Sequence, residues 1–530
     1  MIDAVTRHRR SRWAAVSLLT VALLVPLIPV IPAVPAAMAD ETAVESPGSA
    51  RAMAPPEGLV VTTLHGIGDG PGGPIGSAGL GNAGGGWRFD RGSSGELVAA
   101  GSVGVDEMVV GSGESQQVVP QWWGPRLSAV FHETVLLTRW GADGTLEWAQ
   151  RIGSPYVTRP TRVRIDPSDG AIYLTGTTGG DIDFGSGAPI TGAPGCTRCW
   201  SGFLAKFTSE GDLLWQVTFR PDAGISYPQG LDLAPNGDVV LSFEWMDRVF
   251  VDDTQTVLVR SAAGSGSAHE VTLKPTETAV TPEGAKWGGG TRTTAIVRYA
   301  PDGGLRWARV LSGSQNGGGG GLAVLDDGRI AVTANLWGTT RLLDGPAVVE
   351  PAQRHDNQSF FVAMLTPDAD QAEWVSIVGG SGHSYHPLDL AKAADGSLLV
   401  AVGTYGADRV EFDGPGGPAH LDLDEQWNFQ GPRHRSALFN LSVDGVAQWG
   451  LPVSGWMGVA TIEPLEGVSS RLTGLQGQVF LVGPPLPLPP DWDLEWDPDW
   501  DAEWDALGVF LGPDQVGVAL QPSACAPGGP

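Results

Sequence analysis

Positive charge is scarce in this chain, and lysine is nearly absent. Its 530 residues carry 32 Lys and Arg against 59 Asp and Glu, a formal charge of −27. Only four of those cations are Lys, a bias that points to a GC-rich coding sequence and to no particular chemistry. An acidic field of this size repels nucleic acid and anionic lipid and argues against either as partner. Cysteine is rarer still, with three residues, Cys196, Cys199 and Cys525. That is too few for a disulfide-built scaffold or a four-cysteine zinc site. Long apolar runs are missing beyond the first 39 residues, so no later segment is expected to cross a membrane as a helix. Glycine and proline are plentiful instead, at 76 and 41 residues, which excludes long helices.

The first 39 residues read as an export leader. Arg7, His8, Arg9, Arg10 and Arg12 form a positive start, residues 14–27 are apolar, and Ala37-Met38-Ala39 fits a small-x-small cleavage site. Pro26, Pro29, Pro32 and Pro35 leave too short a helix for a membrane anchor, so cleavage is expected. Arg9-Arg10 also allows a twin-arginine route, although its flanks match poorly. Residues 40–58 then read as a linker.

From residue 59 to residue 523 one phrase recurs six times: strand, tight turn, strand, long insertion, strand, acidic turn, strand bearing Trp. The first turn reads Ser94-Gly95, Asp169-Gly170, Asn236-Gly237, Asp327-Gly328, Asp395-Gly396 and Gln476-Gly477. The third connection reads Asp143-Gly144, Glu210-Gly211, Asp302-Gly303, Asp368-Ala369-Asp370, Asp444-Gly445 and Pro513-Asp514. Pairs of this kind predict two-residue hairpins with positive φ at both central positions. Second strands are expected at 96–100, 171–175, 238–243, 329–334, 397–402 and 478–482. Third strands are expected at 134–138, 203–207, 295–299, 360–365, 437–441 and 507–511. The fourth strand carries Trp148, Trp215, Trp307, Trp374 and Trp449, with Ala519 in the last unit. A tryptophan repeated in this way is expected to pack between neighbouring sheets.

Four-stranded units of this sort cannot bury both faces alone, and radial arrangement solves that problem. The expected fold is all-β, a β-propeller of six four-stranded antiparallel blades, with seven as the alternative. Unit boundaries fall near 59–153, 154–219, 220–313, 314–380, 381–454 and 455–523, with residues 524–530 as a tail. Residues 59–68 read as an orphan fourth strand that completes the last sheet, adds a fifth strand or starts a seventh blade. The phrases Leu146-Glu147-Trp148, Asp169-Gly170-Ala171-Ile172-Tyr173-Leu174-Thr175-Gly176 and Gly202-Phe203-Leu204-Ala205-Lys206-Phe207 resemble the SBBP-type β-propeller repeat of exported bacterial proteins. The resemblance covers roughly residues 87–521, rests on order and spacing, and implies a secreted propeller without any shared catalytic motif.

The second connections are the long ones, near 102–133, 177–202, 244–294, 335–359, 404–436 and 484–506. In an up-and-down sheet they leave at one rim, which makes that rim the expected binding face. Trp122, Trp123, Trp200, Trp287, Trp337 and Trp427 lie on these insertions, where they serve either as sugar platforms or as private loop cores. The last insertion is Pro-rich over 484–490, and acids then occupy every odd position over 491–505, with Trp492, Trp496, Trp500 and Trp504 between them. An extended ribbon would place acids on one side and indoles on the other. Asp497, Asp499 and Asp501 have the spacing of a calcium loop, but Ala502 and Gly508 replace its Gly and Glu.

Other constellations are weaker. Cys196-Thr197-Arg198-Cys199 suits a local structural disulfide better than a redox pair or half a zinc site. His383 and His386, with Asp389, have no third histidine to complete a metal site and read as loop filling. Gly79-Leu80-Gly81-Asn82-Ala83-Gly84 matches a dinucleotide fingerprint by letter only. Asn357-Gln358-Ser359 and Asn440-Leu441-Ser442 are sequons that matter only in a glycosylating host. The functional expectation is a non-enzymatic binding or scaffold module, secreted, periplasmic or surface-associated, for a glycan or extracellular protein. The ligand candidates are Trp122, Trp123, Trp287, Trp427, Trp492, Trp496, Trp500 and Trp504, and calcium is the one cofactor the sequence suggests. The competing class is a polysaccharide hydrolase or lyase using carboxylates on the same face.

Overall fold

Alternation along each second strand sets the architecture. In Ile172–Thr178 every residue is buried, because Ile172 and Leu174 face one neighbouring sheet while Tyr173 faces the other. A strand apolar on both faces needs a cover on each side. The computed structural model describes residues 51–53, 60–64, 88–104, 108–110, 115–120, 133–143, 145–154, 156–185, 200–221, 225–246, 257–262, 270–273, 292–311, 319–336, 340–342, 348–349, 359–380, 384–393, 395–405, 407–423, 434–453, 459–464, 470–474 and 479–483. These residues are all-β, with no helix among them, and all belong to the unit Ala50–Pro530.

Six antiparallel sheets share one plan. Sheet 1 is Arg88–Arg91, Leu97–Val103, Thr134–Trp140 and Leu146–Ile152, and sheet 2 is Thr158–Ile165, Ile172–Thr178, Ser201–Phe207 and Leu213–Pro221. Sheet 3 is Ile225–Leu233, Val239–Met246, Arg292–Tyr299 and Leu305–Leu311, and sheet 4 is Gly319–Val324, Ile330–Leu336, Ser359–Leu365 and Ala372–Gly379. Sheet 5 is Ser384–Lys392, Leu398–Tyr405, His434–Leu441 and Ala447–Val453. Each first strand packs beside the first strand of the next sheet, from sheet 1 through to sheet 6.

The sixth sheet departs from expectation. Its order is Val60–Leu64, Val479–Gly483, Ser470–Gly474, Val459–Pro464. The stretch expected as second strand, 478–482, is therefore third, because Ser470–Gly474 supplies the second. Val60–Leu64, from the other end of the chain, takes the fourth place. Gln476-Gly477 thus lies between the second and third strands, and the sheet has its four strands without 507–511, which is outside the described residues.

The turns also correct a prediction. Among the described residues only Ala369 is a non-glycine with positive φ, at 48°, so the Asp or Asn before each turn glycine is not left-handed. Gly237 N–H instead donates to Ala234 O at 2.8 Å and Ala234 N–H to Asp238 O at 2.8 Å, a type I turn closed by a left-handed glycine. The acidic residue has a different task. Asp395 Oδ1 accepts Ser397 N–H at 3.0 Å, Asp302 Oδ1 accepts Gly304 N–H at 2.9 Å, and Asn236 Oδ1 accepts Asp238 N–H at 3.2 Å. The side chain closes a local ring with the backbone, which is why Asp and Asn recur there.

Four cores form between successive sheets. Val98, Leu137 and Ile152 of sheet 1 meet Leu174, Phe203 and Phe207 of sheet 2. Phe219 of sheet 2 meets Phe243 of sheet 3 with ring centroids 4.5 Å apart. Trp148, Trp215, Trp307 and Trp374 lie at these interfaces, and Trp449 packs against a cluster of sheet 5. Trp148 Nε1–H donates to Ser209 O at 2.8 Å, Trp215 to Pro301 O at 2.9 Å, and Trp374 to Val443 O at 2.8 Å, each time reaching the third turn of the next sheet. A cation on the third strand also reaches a turn of the next sheet: Arg139 Nη1–H donates to Gly170 O in the first turn of sheet 2 at 3.1 Å, and Arg298 Nη1–H to Pro367 O in the third turn of sheet 4 at 3.1 Å.

Insertions partly cover the outer edges. Val257–Ala262 and Glu270–Leu273, from the third unit, extend sheet 2 to six strands. Arg409–Asp413 and Ala419–Asp422, from the fifth unit, extend sheet 4, and Arg51–Ala52 adds a parallel strand outside them. In sheet 1 the hairpin Met108–Val110 and Gln117–Val119 lies near Leu146–Ile152, where Gln117 imitates a strand. Its amide donates to Glu147 O at 2.9 Å and accepts from Ala149 N–H at 3.0 Å. Paired edges cannot template aggregation.

The tryptophan latch makes a quantitative prediction. Trp215 is 3% exposed, so Trp215→Ala should destabilise by about 3–5 kcal/mol through cavity formation. Trp215→Phe should cost less, losing a hydrogen bond worth about 1 kcal/mol together with part of the indole's packing. Urea unfolding of both variants checks the order, and equal losses would show that the indole N–H bond, and not the buried ring, controls the site.

Candidate functional site

The first strands meet one another along their inner edges, and that is where the buried charge collects. Each first strand of sheets 2 to 6 carries a register shift at the same place, after Pro160, Pro228, Gly319, Pro387 and Val459. Counting back from the residues that open the first turns, Gly92, Asp166, Ala234, Leu325 and Ala393, the fourth position is Arg88, Arg162, Gly230, Gly321 and Asp389. The second position back is Asp90, Arg164, Asp232, Ala323 and Ala391. Three arginines and three aspartates therefore share ten equivalent sites with small residues.

They form two linked networks. At the second position, Asp90 Oδ2 accepts Ile165 N–H at 2.6 Å and Asp232 Oδ2 accepts Val324 N–H at 2.7 Å, each from the first strand of a following sheet. Arg164 lies between those carboxylates, 3.8 Å from Asp90 and 3.7 Å from Asp232. At the fourth position, Arg88 Nε–H donates to Thr161 O at 2.8 Å, and Arg162 Nη2–H donates to Asp389 Oδ1 at 3.0 Å. That last bond joins sheet 2 directly to sheet 5. Both partners are buried, with side chains 8% and 3% exposed. Glycine makes room for it, because a Cβ on Gly321 would overlap the backbone nitrogen of Leu390, and one on Gly230 would approach Leu322 Cβ to 2.5 Å.

Burial and neighbours set the acidities. Burial first, then Arg162, brings the Arg88 guanidinium down to about 9. Burial raises Asp90 and Asp232 above the ordinary carboxyl value, against the opposing pull of Arg164 and the backbone donors. Nothing in this arrangement is an open acid–base pair. Each of the three aspartates already accepts a backbone N–H, with Asp389 taking that of Leu390 at 2.9 Å.

At the opposite end of the first strands, seven places before the turn, stand Arg159 and Tyr227. The residue preceding the third strand bridges to this end from the sheet before: Thr158 N–H donates to Glu133 O at 2.8 Å, and Ser226 N–H to Trp200 O at 2.8 Å. Side chains at these matched positions pair across the sheets. Arg159 clasps Glu133 through Nε at 2.6 Å and Nη2 at 3.1 Å. Trp200 meets Tyr227 edge to face at 6.3 Å, and the Arg159 guanidinium lies 5.5 Å from the indole centre. All four side chains are half-buried and lie at the rim from which the insertions depart.

Most of the residues expected from sequence are not among those described. Trp122, Trp123, Trp287, Trp337, Trp427, Trp492, Trp496, Trp500, Trp504, Asp497, Asp499, Asp501, Cys196, Cys199 and His383 lie outside them, as do residues 79–84. No group of three His, Cys, Asp or Glu able to hold a metal occurs among the described residues. Asp389, weighed above as a metal neighbour of His386, is bound to Arg162 instead. Asn440 is 3% exposed and donates to Ser397 Oγ at 2.6 Å, so the folded chain cannot present that sequon. The inner-strand pattern was missed, although Pro160-Thr161-Arg162-Val163-Arg164-Ile165, Pro228-Gln229-Gly230-Leu231-Asp232-Leu233 and Pro387-Leu388-Asp389-Leu390 carry its signal. No family model matches the chain, and no curated protein matches it.

Two predictions follow from the charges. Removing one partner of the buried pair, in Asp389→Ala or Arg162→Ala, should cost about 3–5 kcal/mol, because the other charge is left alone in the interior. The double variant Arg162→Met/Asp389→Leu should be more stable than either single one in urea unfolding; equal or greater loss would refute the pairing. The second prediction concerns pH. Asp90 and Asp232 hold a proton more firmly folded than unfolded, so their contribution to stability is greatest in acid. It falls as pH rises from about 3.8 through their folded values. Asp395, held low by the Ser397 hydroxyl, runs the other way and loses its contribution as pH falls through its folded value. The Asp232→Asn variant should therefore gain stability relative to the parent between pH 4 and pH 7, read as urea midpoints at constant ionic strength. A relative loss over that interval would contradict the raised pKa of Asp232.

Proposed function

We propose that the six sheets close as a six-bladed propeller, exported by its leader, that works as a non-enzymatic binding or scaffold module through the insertion-bearing rim. Three observations support closure. First strands contact one another in succession, the sixth sheet takes its fourth strand from the N-terminal side, and Arg162 bonds the equivalent position three units away. In a six-fold ring, units three apart lie opposite each other, and a bond between them is expected only there. The likeness to exported SBBP-type repeats fits this reading and belongs to the same proposal.

The commitment of the inner carboxylates carries the functional half. A glycosidase needs two carboxyl groups about 5–9.5 Å apart, flanking a space that admits the glycosidic bond. Asp90, Asp232 and Asp389 are instead bound to N–H groups and arginines inside the molecule. Partner recognition then falls to the rim, where insertions differ from unit to unit while the sheets below remain alike.

The test is a binding screen of the exported chain, residues 40–530, against immobilised glycans and extracellular matrix proteins, with mass-spectrometric analysis of the supernatant. Retention without released fragments is expected. Oligosaccharide release would transfer the protein to the competing class, a polysaccharide hydrolase or lyase.

A further inference from the structure

The four-residue ladder Glu133, Arg159, Trp200 and Tyr227 does more than join sheets 1, 2 and 3. The backbone bridges at Thr158 and Ser226 already do that. Resting on the binding-module reading above, we propose that this ladder is a subsite for a neutral sugar ring.

The chemistry is specific. Trp200 and Tyr227 pack against each other edge to face, with centroids 6.3 Å apart, so that each props the other at a rim where both stay half-buried. The polarised C–H face of a pyranose stacks on an electron-rich indole, as cations do on the same ring. The Arg159 fork is held in place by Glu133, which accepts from Nε and Nη2. An ordered Arg–carboxylate pair offers both donors and acceptors to neighbouring hydroxyls at fixed spacing, and the freezing cost has been met inside the protein.

Charge decides between kinds of glycan. The Glu133–Arg159 pair is neutral as a unit, and it sits on a chain of formal charge −27. Uronic-acid or sulfated polymers are repelled before they reach it. A neutral hexose or pentose polymer meets no such barrier.

Affinity electrophoresis of the exported chain through gels containing galactomannan, xyloglucan, dextran or alginate tests the proposal. At least one neutral polymer should retard the parent protein, and alginate should not. Trp200→Ala should weaken that retardation at least tenfold, with Trp200→Phe intermediate and Arg159→Lys, which keeps the charge but loses the fork, also reduced. Near-ultraviolet circular dichroism establishes that each variant is folded; if Trp200→Ala is not, the Phe and Lys variants decide. Retardation unchanged in the folded variants would overturn the subsite and leave the binding-module reading standing. Failure of every neutral polymer would overturn the subsite, and capture on the matrix-protein arm of the screen would then identify a protein-binding rim in its place.

Discussion

A strand that turns its edge toward the interior of a protein has peptide groups with neither water nor a further strand to bond. The first strands of these sheets are in that position, and the structure settles the problem with side chains borrowed from the preceding sheet. Asp90 reaches Ile165 N–H, Asp232 reaches Val324 N–H, and Arg88 reaches Thr161 O. An unbonded buried peptide group costs about 1–3 kcal/mol, comparable to the loss of a cap or a core methyl group. Once carboxylates are recruited to the interior, arginines must accompany them, because an isolated buried charge is costlier still. Arg164 between two aspartates and Arg162 against Asp389 follow from that first need. So do the glycines at 230 and 321, since neighbouring first strands can approach this closely only where the side chain is gone.

Sheets 1 to 4 are each secured to the next by a different device with the same logic. An indole N–H or a guanidinium on one sheet finds a turn carbonyl on the next, at Ser209, Pro301, Val443, Gly170 and Pro367. Turn carbonyls project beyond the ladder and are otherwise left to water, so a donor that reaches them adds a directional bond to a contact that is otherwise apolar. The left-handed glycine in the turn permits this. A Cβ on Gly211 would stand 3.3 Å from the Trp148 ring, and one on Gly445 would stand 2.7 Å from the Trp374 ring. Packing, turn geometry and repeat identity are therefore one constraint seen three ways.

Strand periodicity, turn residues and the repeated tryptophan were readable in the sequence because each depends on neighbours within a few residues. The second and third strands of sheets 1 to 5 fall where alternation placed them, extended by a few residues at their ends. What could not be read depends on partners far away in the chain. Residues 59–68 read locally as an orphan fourth strand with three possible places, and only the pairing of Val60–Leu64 with Val479–Gly483 decides that it completes the last sheet. The role of Asx-Gly was misjudged for a related reason. Composition identifies a turn, whereas the choice between two left-handed residues and one depends on how the flanking strands are registered. Charge within first strands was overlooked because Arg162 and Asp389, 227 residues apart, look like ordinary surface residues until the sheets are assembled. Of the candidate site, the prominence of indoles on the insertions was legible; the matched register of Trp200 with Glu133 and of Tyr227 with Arg159 was not.

That matched register bears on function. Equivalent positions in a repeat share a backbone environment, so a difference between them reports either on a partner elsewhere in the fold or on selection for something else. At the inner positions the differences are complementary: arginine meets aspartate and glycine meets bulk, as a stability requirement dictates. At the rim the bridge is made by the backbone in both cases, yet one unit places a carboxylate and its neighbour an indole at the same point. Backbone bonding would be satisfied there by alanine. An indole that stays half-buried, with an arginine ordered beside it by a bidentate carboxylate, keeps apolar surface in contact with water without a structural return. On the proposed binding reading, recognition would supply the return without disturbing the charges that hold the sheets together below.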